Sequence, residues 1–167
     1  MPARRRSEDL GGVAELMKGY AERGVFRSFS QTDQRGGKTT FKVLWHHGRV
    51  FRLVVAPASH SVSFPALLPG VPPRSSMLKE LRAYLHQFET KSVPEHRRID
   101  PSKAKLRVAL RGGNVSLALI VKRRQYEYCT RRLVNLAHEV FMIFLPDGPY
   151  YEYRVEKLGV DPELVWS

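Results

Sequence analysis

A single cysteine, Cys129, stands in 167 residues. That scarcity excludes a disulfide within the chain and any metal site built from several thiolates. Long apolar runs are missing as well. The longest, "VFMIFL" and "LALIV", fall far short of the roughly 20 residues that span a bilayer as a helix. The opening "MPARRRSEDLGG" is basic and lacks the apolar core of a signal peptide, so the expected location is the cytoplasm. Acidic side chains are few: 16 Asp and Glu stand against 28 Lys and Arg, a formal charge of +12. Such an imbalance favours anionic partners, nucleic acid above all.

What is present is an ordinary globular composition, 43% hydrophobic and 26% charged, in a chain long enough for one domain with a core of its own. Residues 1–6 read as a basic flexible tail. Ser7 or Asp9 can cap a first helix, whose Leu10, Val13, Ala14, Met17, Tyr20 and Ala21 recur at the spacing of one buried face. Gly24 suits a left-handed stop.

Strand-like segments follow at 25–32, 38–46, 49–56 and 60–65. Alternation selects the loop between the second and third. A three-residue turn, His46-His47-Gly48, sets Trp45 opposite Arg49, Val43 opposite Phe51 and Phe41 opposite Leu53, keeping the apolar side chains on one face. A two-residue turn would mix the faces. The same register sets Lys42 opposite Arg52, a like-charge pair that either solvent and side-chain splay or a bound anion would relieve.

The proline-rich "PALLPGVPPRSS" is expected as a loop packed on the body through Leu67, Leu68 and Val71. Ser75 can cap a second helix with the stripe Met77, Leu78, Leu81, Tyr84, Leu85 and Phe88. A second hairpin turns at Gly112-Gly113, pairing Leu110 with Val115, Val108 with Leu117 and Leu106 with Leu119. A long last helix is expected over about 126–144, ended by Pro146, Gly148 and Pro149. The alternating "YYEYR" that follows fits a short edge strand packed on the core, or else supplies rings on which bases could stack. The domain boundaries read as 1–6 for the tail, 7–144 for a single α+β domain, and 145–167 for a docked C-terminal extension, with its own domain and a neighbour's both open as the surface it docks on.

The fold class is therefore α+β, an antiparallel sheet with helices packed on one face, in the order α-β-β-β(-β)-α-β-β-α plus a C-terminal tail. This element order, over about residues 8–144, resembles type III secretion chaperones and the bacterial YbjN-type proteins of the same fold. The resemblance implies a protein-binding, chaperone-like or homodimerising module. Such chaperones are typically acidic, and this chain has the opposite sign.

His138-Glu139 invites comparison with the zinc motif H-E-x-x-H. The second ligand position holds Met142, so the motif fails, and the pair reads as polar residues at the boundary of the last helix. His46 and His47 fall in a turn, and His60, His86 and His96 have no partners at ligand spacing. Cys129 is followed closely by Arg131 and Arg132, whose charge would lower a thiol pKa, but a structural cysteine is the commoner case. "RGGN" lacks the lysine and helix of a phosphate loop, and no G-x-S-x-G elbow occurs. No catalytic, metal or cofactor set is expected. The candidate site for an anion or nucleic acid is instead Lys105, Arg107, Arg111, Lys122, Arg123 and Arg124, extended by Arg131 and Arg132. The function expected first is a non-catalytic binding module for nucleic acid. A protein-binding or homodimerising module comes second, and an enzyme of unrecognised class third.

Overall fold

The computed structural model describes residues 2–33 and 37–159, with backbone alone for 2–11, 33 and 151. Period-two alternation in the strand segments builds a six-stranded antiparallel sheet. Its strands are β1 (Ser28–Asp33), β2 (Thr39–Trp45), β3 (Arg49–Ala56), β4 (Ser61–Leu68), β5 (Ala104–Arg111) and β6 (Asn114–Val121), in the order β1-β2-β3-β4-β6-β5. The helices α1 (Pro2–Glu22), α2 (Ser76–His86), α3 (Tyr126–Glu139) and α4 (Tyr151–Leu158) complete the α+β fold.

Both hairpins adopt the expected registers. Trp45 pairs with Arg49, Val43 with Phe51, Lys42 with Arg52 and Phe41 with Leu53. Leu106 pairs with Leu119, Val108 with Leu117 and Leu110 with Val115. The turn geometry explains both. Gly48 has φ 66°, while Gly112 and Gly113 have φ 57° and 81°, the two positive values that a two-residue hairpin turn requires. Ser75 caps α2, its Oγ accepting from the Leu78 N–H at 3.2 Å.

Three elements differ from expectation. First, α1 starts at Pro2 and takes in the basic run that reads as a tail, passing through Ser7 and Asp9 instead of being capped by either. Proline fits the first helical turn, where its missing N–H costs nothing, and Ala and Arg propagate a helix well. Second, β4 continues through Pro65 to Leu68. Its pairing with β6 is irregular between Phe64 and Leu68, and a broken ladder tolerates a residue without an N–H. Leu67, Leu68 and Val71 are buried, as the packed-loop reading requires. Third, "YYEYR" enters α4 and not an edge strand, with Tyr150 immediately before the helix. Tyr150 and Leu158 are buried in the core cluster and Tyr153 packs against it. Tyr150 stacks on Phe144 at 5.0 Å and bonds Glu80, and the Tyr153 hydroxyl donates to Pro69 O at 2.7 Å. The described part of the extension thus docks on its own domain, while residues 160–167 lie outside the described residues.

One face of the sheet makes the core. Phe41, Val43, Phe51, Leu53, Val62, Phe64, Leu106, Val115, Leu117 and Leu119 join Val13 and Met17 of α1, Leu81 and Leu85 of α2, and Leu133 and Ala137 of α3 in a single apolar cluster. After Glu139 the chain widens into a π-helical segment, Val140–Phe144, followed by a turn Leu145–Asp147. The widening precedes Pro146, whose ring and missing N–H are incompatible with the Met142 carbonyl in a regular helix.

Candidate functional site

Alternate residues of the same strands form the other face of the sheet. Leu44, Val50, Val54 and Ile120 stand there, and none belongs to the core cluster. All four helices pack through the opposite side, so among the described residues no helix covers this face. Its centre is built of small or short side chains: Val54, Ser61, Ser63, Ser116 and Ala118. Lys42 and Arg52 stand on one side of that lane, and Lys105, Arg107 and Arg111 on the other, all exposed. Among the described strand residues facing this way there is no aspartate or glutamate. The absence of counter-charges leaves the positive potential of these side chains uncompensated on their own face.

The structure separates the remaining candidates from this face by degrees. Lys122, Arg123 and Arg124 form the turn after β6, at the Lys105 end of the sheet. The Lys122 ammonium is held by Pro101 O at 2.7 Å. Arg123 and Arg124 both take left-handed backbone, with φ 53° and 58°, a conformation that costs a non-glycine residue on the order of 1 kcal/mol each. Arg131 and Arg132 lie on α3 in the helix layer. Arg131 makes an exposed pair with Glu127 at 3.2 Å, of little energetic weight. Arg132 bonds the His96 carbonyl and lies over the Tyr128 ring at 5.4 Å. Sequence reasoning placed Lys42 opposite Arg52 without joining the pair to the second hairpin, because only the β4–β6 pairing brings the two hairpins into one sheet.

The helix layer carries two clefts. One, of about 230 Å³, runs between α3 and the segment after α2, and is lined by Phe88, His96, Arg97, Asn135, His138 and Glu139. Here His138 is exposed and Glu139 half-buried, the boundary placement expected from the sequence. The Glu139 carboxylate accepts from Arg97 at 2.6 Å and from the Tyr84 hydroxyl at 3.1 Å, tying α2, the loop and α3 together. Burial and this carboxylate push the Tyr84 hydroxyl pKa far up, so it stays a donor. The second cleft, of about 340 Å³, surrounds Tyr128, with Lys103 Nζ 4.7 Å from the ring centre. Its cations Arg98, Lys103 and Arg132 are offset by Glu95 and Asp100.

Neither cysteine nor histidine chemistry gathers into a centre. Cys129 is fully buried, and burial pushes its thiol up to about 12. The neighbouring arginines therefore do not activate it, because desolvation of the thiolate is the larger effect. His46 packs on Phe141 at 4.7 Å and faces His138 at 5.4 Å. Burial, with His138 and His47 adding to it, lowers the His46 pKa to about 4. Among the described residues no group of three or more His, Cys, Asp or Glu side chains is placed to hold a metal ion, and no helix is long and apolar enough to cross a membrane.

Comparison with protein-family models, with curated proteins and with solved structures gave no match.

Proposed function

We propose that the chain is a binding module for the sugar–phosphate backbone of nucleic acid, engaged through the open face of its sheet. One observation carries this: Lys42, Arg52, Lys105, Arg107 and Arg111 share a face with no carboxylate among its described strand positions. Cations so arranged contact phosphates without reading base identity, and release of counterions makes their binding steeply salt-dependent. The left-handed arginines at 123 and 124 lend further support, because glycine would adopt that turn more cheaply.

The double reversal Arg52→Glu with Arg107→Glu should weaken binding to a mixed-sequence oligonucleotide at least about tenfold, removing two phosphate contacts. Arg131→Glu, in the helix layer, should leave it unchanged. Fluorescence anisotropy across a salt series measures both. Equal losses from the two substitutions would move the site away from the sheet.

A protein partner is the second reading, favoured by Met142 and Ile143, which are 54% and 41% exposed beside one another in the π-helical segment. On that reading, gel filtration would give the mass of a dimer that persists at high salt, and Met142→Lys would return it to a monomer.

A further inference from the structure

The open face presents its cations as two rails and not as one patch, one a row along β5 and the other a single pair at one level across β2 and β3. Lys42 on β2 and Arg52 on β3 are direct cross-strand partners. Lys105, Arg107 and Arg111 project from β5, the last strand on the other side. Between them lie β4 and β6, whose outward residues are neutral, short at Ser61, Ser63, Ser116 and Ala118, with the larger Ile120 at the Lys105 end and Asn114 at the Arg111 end. Neighbouring strands are about 4.8 Å apart. Three such intervals separate β3 from β5 and four separate β2 from β5, which puts the rails ~14–19 Å apart.

A second observation concerns what the lane lacks. No described strand residue on this face is aromatic. Phe29, Phe41, Trp45, Phe51 and Phe64 all face the core side, and Tyr150 and Tyr153 are engaged by Glu80 and Pro69. Sheet and groove surfaces that hold single strands do so by stacking bases on exposed rings. This face offers no ring to a base. A double helix needs none, because its bases are already stacked and paired. It presents instead two phosphate strands flanking a groove, about 12 Å across for the major groove of B-form DNA. The phosphates and the reach of the Lys and Arg side chains make up the rest of the span.

We infer that the ligand of the open face is a double-stranded nucleic acid laid along the lane, one phosphate strand against Lys42 and Arg52 and the other against Lys105, Arg107 and Arg111. The inference rests on the nucleic-acid reading above and specifies its ligand. The short side chains at the centre of the lane let the duplex approach the strands closely, and the absence of carboxylates among the described strand residues of this face leaves neither phosphate strand repelled there.

The test uses the full chain with a mixed-sequence duplex of about 20 base pairs and with each of its separated strands, in anisotropy titrations over a salt series. The duplex should bind at least about tenfold tighter than either strand, with a slope of log K against log salt of about −4 to −5 for five phosphate contacts. Lys42→Glu with Arg52→Glu, and separately Arg107→Glu with Arg111→Glu, should each bring duplex affinity down to the single-strand level. Lys42→Gln with Arg52→Gln serves as a milder version that avoids new charge, and thermal unfolding verifies that every variant is folded. Equal affinity for duplex and single strand in the unsubstituted chain would overturn the inference while leaving the backbone-binding reading standing. So would a rail whose neutralisation leaves duplex binding intact. No salt-dependent binding to either form would remove the backbone-binding reading, and this inference with it.

Discussion

Leu53 and Val54 are neighbours on β3 and stand on opposite sides of the sheet. Leu53 is fully buried among the helices, while Val54 is half-buried among short side chains and solvent. The same contrast repeats along β6 and much of β2, β3 and β5, where alternate residues supply either the core or an uncovered surface. It breaks where consecutive residues are buried, at Thr39-Thr40-Phe41, Val55-Ala56 and Leu67-Leu68. Burial rewards apolar volume on the first side. Nothing comparable acts on the second, where residue types are free to follow a ligand. An antiparallel sheet with one wet face commonly shows polar residues there. The unusual element is the sign, since the long polar side chains on this face are all cationic.

The largest expected effect tests whether the second face is open at all. Leu53→Ala should cost about 2–5 kcal/mol in urea unfolding, and Val54→Ala about 1 kcal/mol or less. A loss at Val54 as large as that at Leu53 would mean that the outer face is covered, and the contrast would fail. A smaller effect concerns an ionisable group on the packed side. His46 is held neutral, its pKa lowered from 6.5 to about 4. The unfolded chain therefore takes up a proton that the folded chain refuses, and stability falls as pH drops from 6.5 towards 4. His46→Phe should flatten part of that acid limb in denaturation curves collected across the interval. If the slope does not change, other groups govern it. The smallest effect belongs to the outer face. Lys42 and Arg52 are like charges directly opposed, so Arg52→Glu should raise stability by about 0.2–1 kcal/mol while weakening nucleic-acid binding. A gain in stability with no loss of binding would show that the pair has another origin.

Local pattern made much of the architecture legible. A three-residue loop puts Phe41, Val43 and Trp45 on one face with Phe51 and Leu53 and a two-residue loop mixes the faces, so the first hairpin follows from alternation and Gly48. Gly112-Gly113 sets the second in the same way. Ser75 marks the start of α2 because a side-chain acceptor is needed there. Three features were hidden for physical reasons. The helix at "YYEYR" has an alternation that suits a strand, and only docking of Tyr150 and Tyr153 against Glu80 and Pro69 decides between them. Pro65 argues against a strand unless the ladder is already broken, which no local signal reveals. The α1 start at Pro2 rests on helix-forming residues that carry no apolar stripe. For the candidate site, Lys105, Arg107 and Arg111 were legible as one face of a strand. Their kinship with Lys42 and Arg52 was not, because it depends on which strands are neighbours, and alternation specifies faces without specifying neighbours. Arg131 and Arg132 are close to the turn in sequence but belong to the other layer.

The pairing of β4 with β6 sets Ser61 beside Ile120 and Phe64 beside Leu117, while every other strand pair in the sheet joins consecutive segments of the chain. The meander β1–β4 and the hairpin β5–β6 can each form from short loops, but their seam must wait for closure of a loop that contains all of α2. Such closure is an entropic cost met before the contact gives anything back. The seam is thus the natural bottleneck in the folding of this chain. Substitutions at Val62 or Leu119, which meet across it, should slow refolding in stopped-flow experiments to the extent that the seam is formed in the transition state.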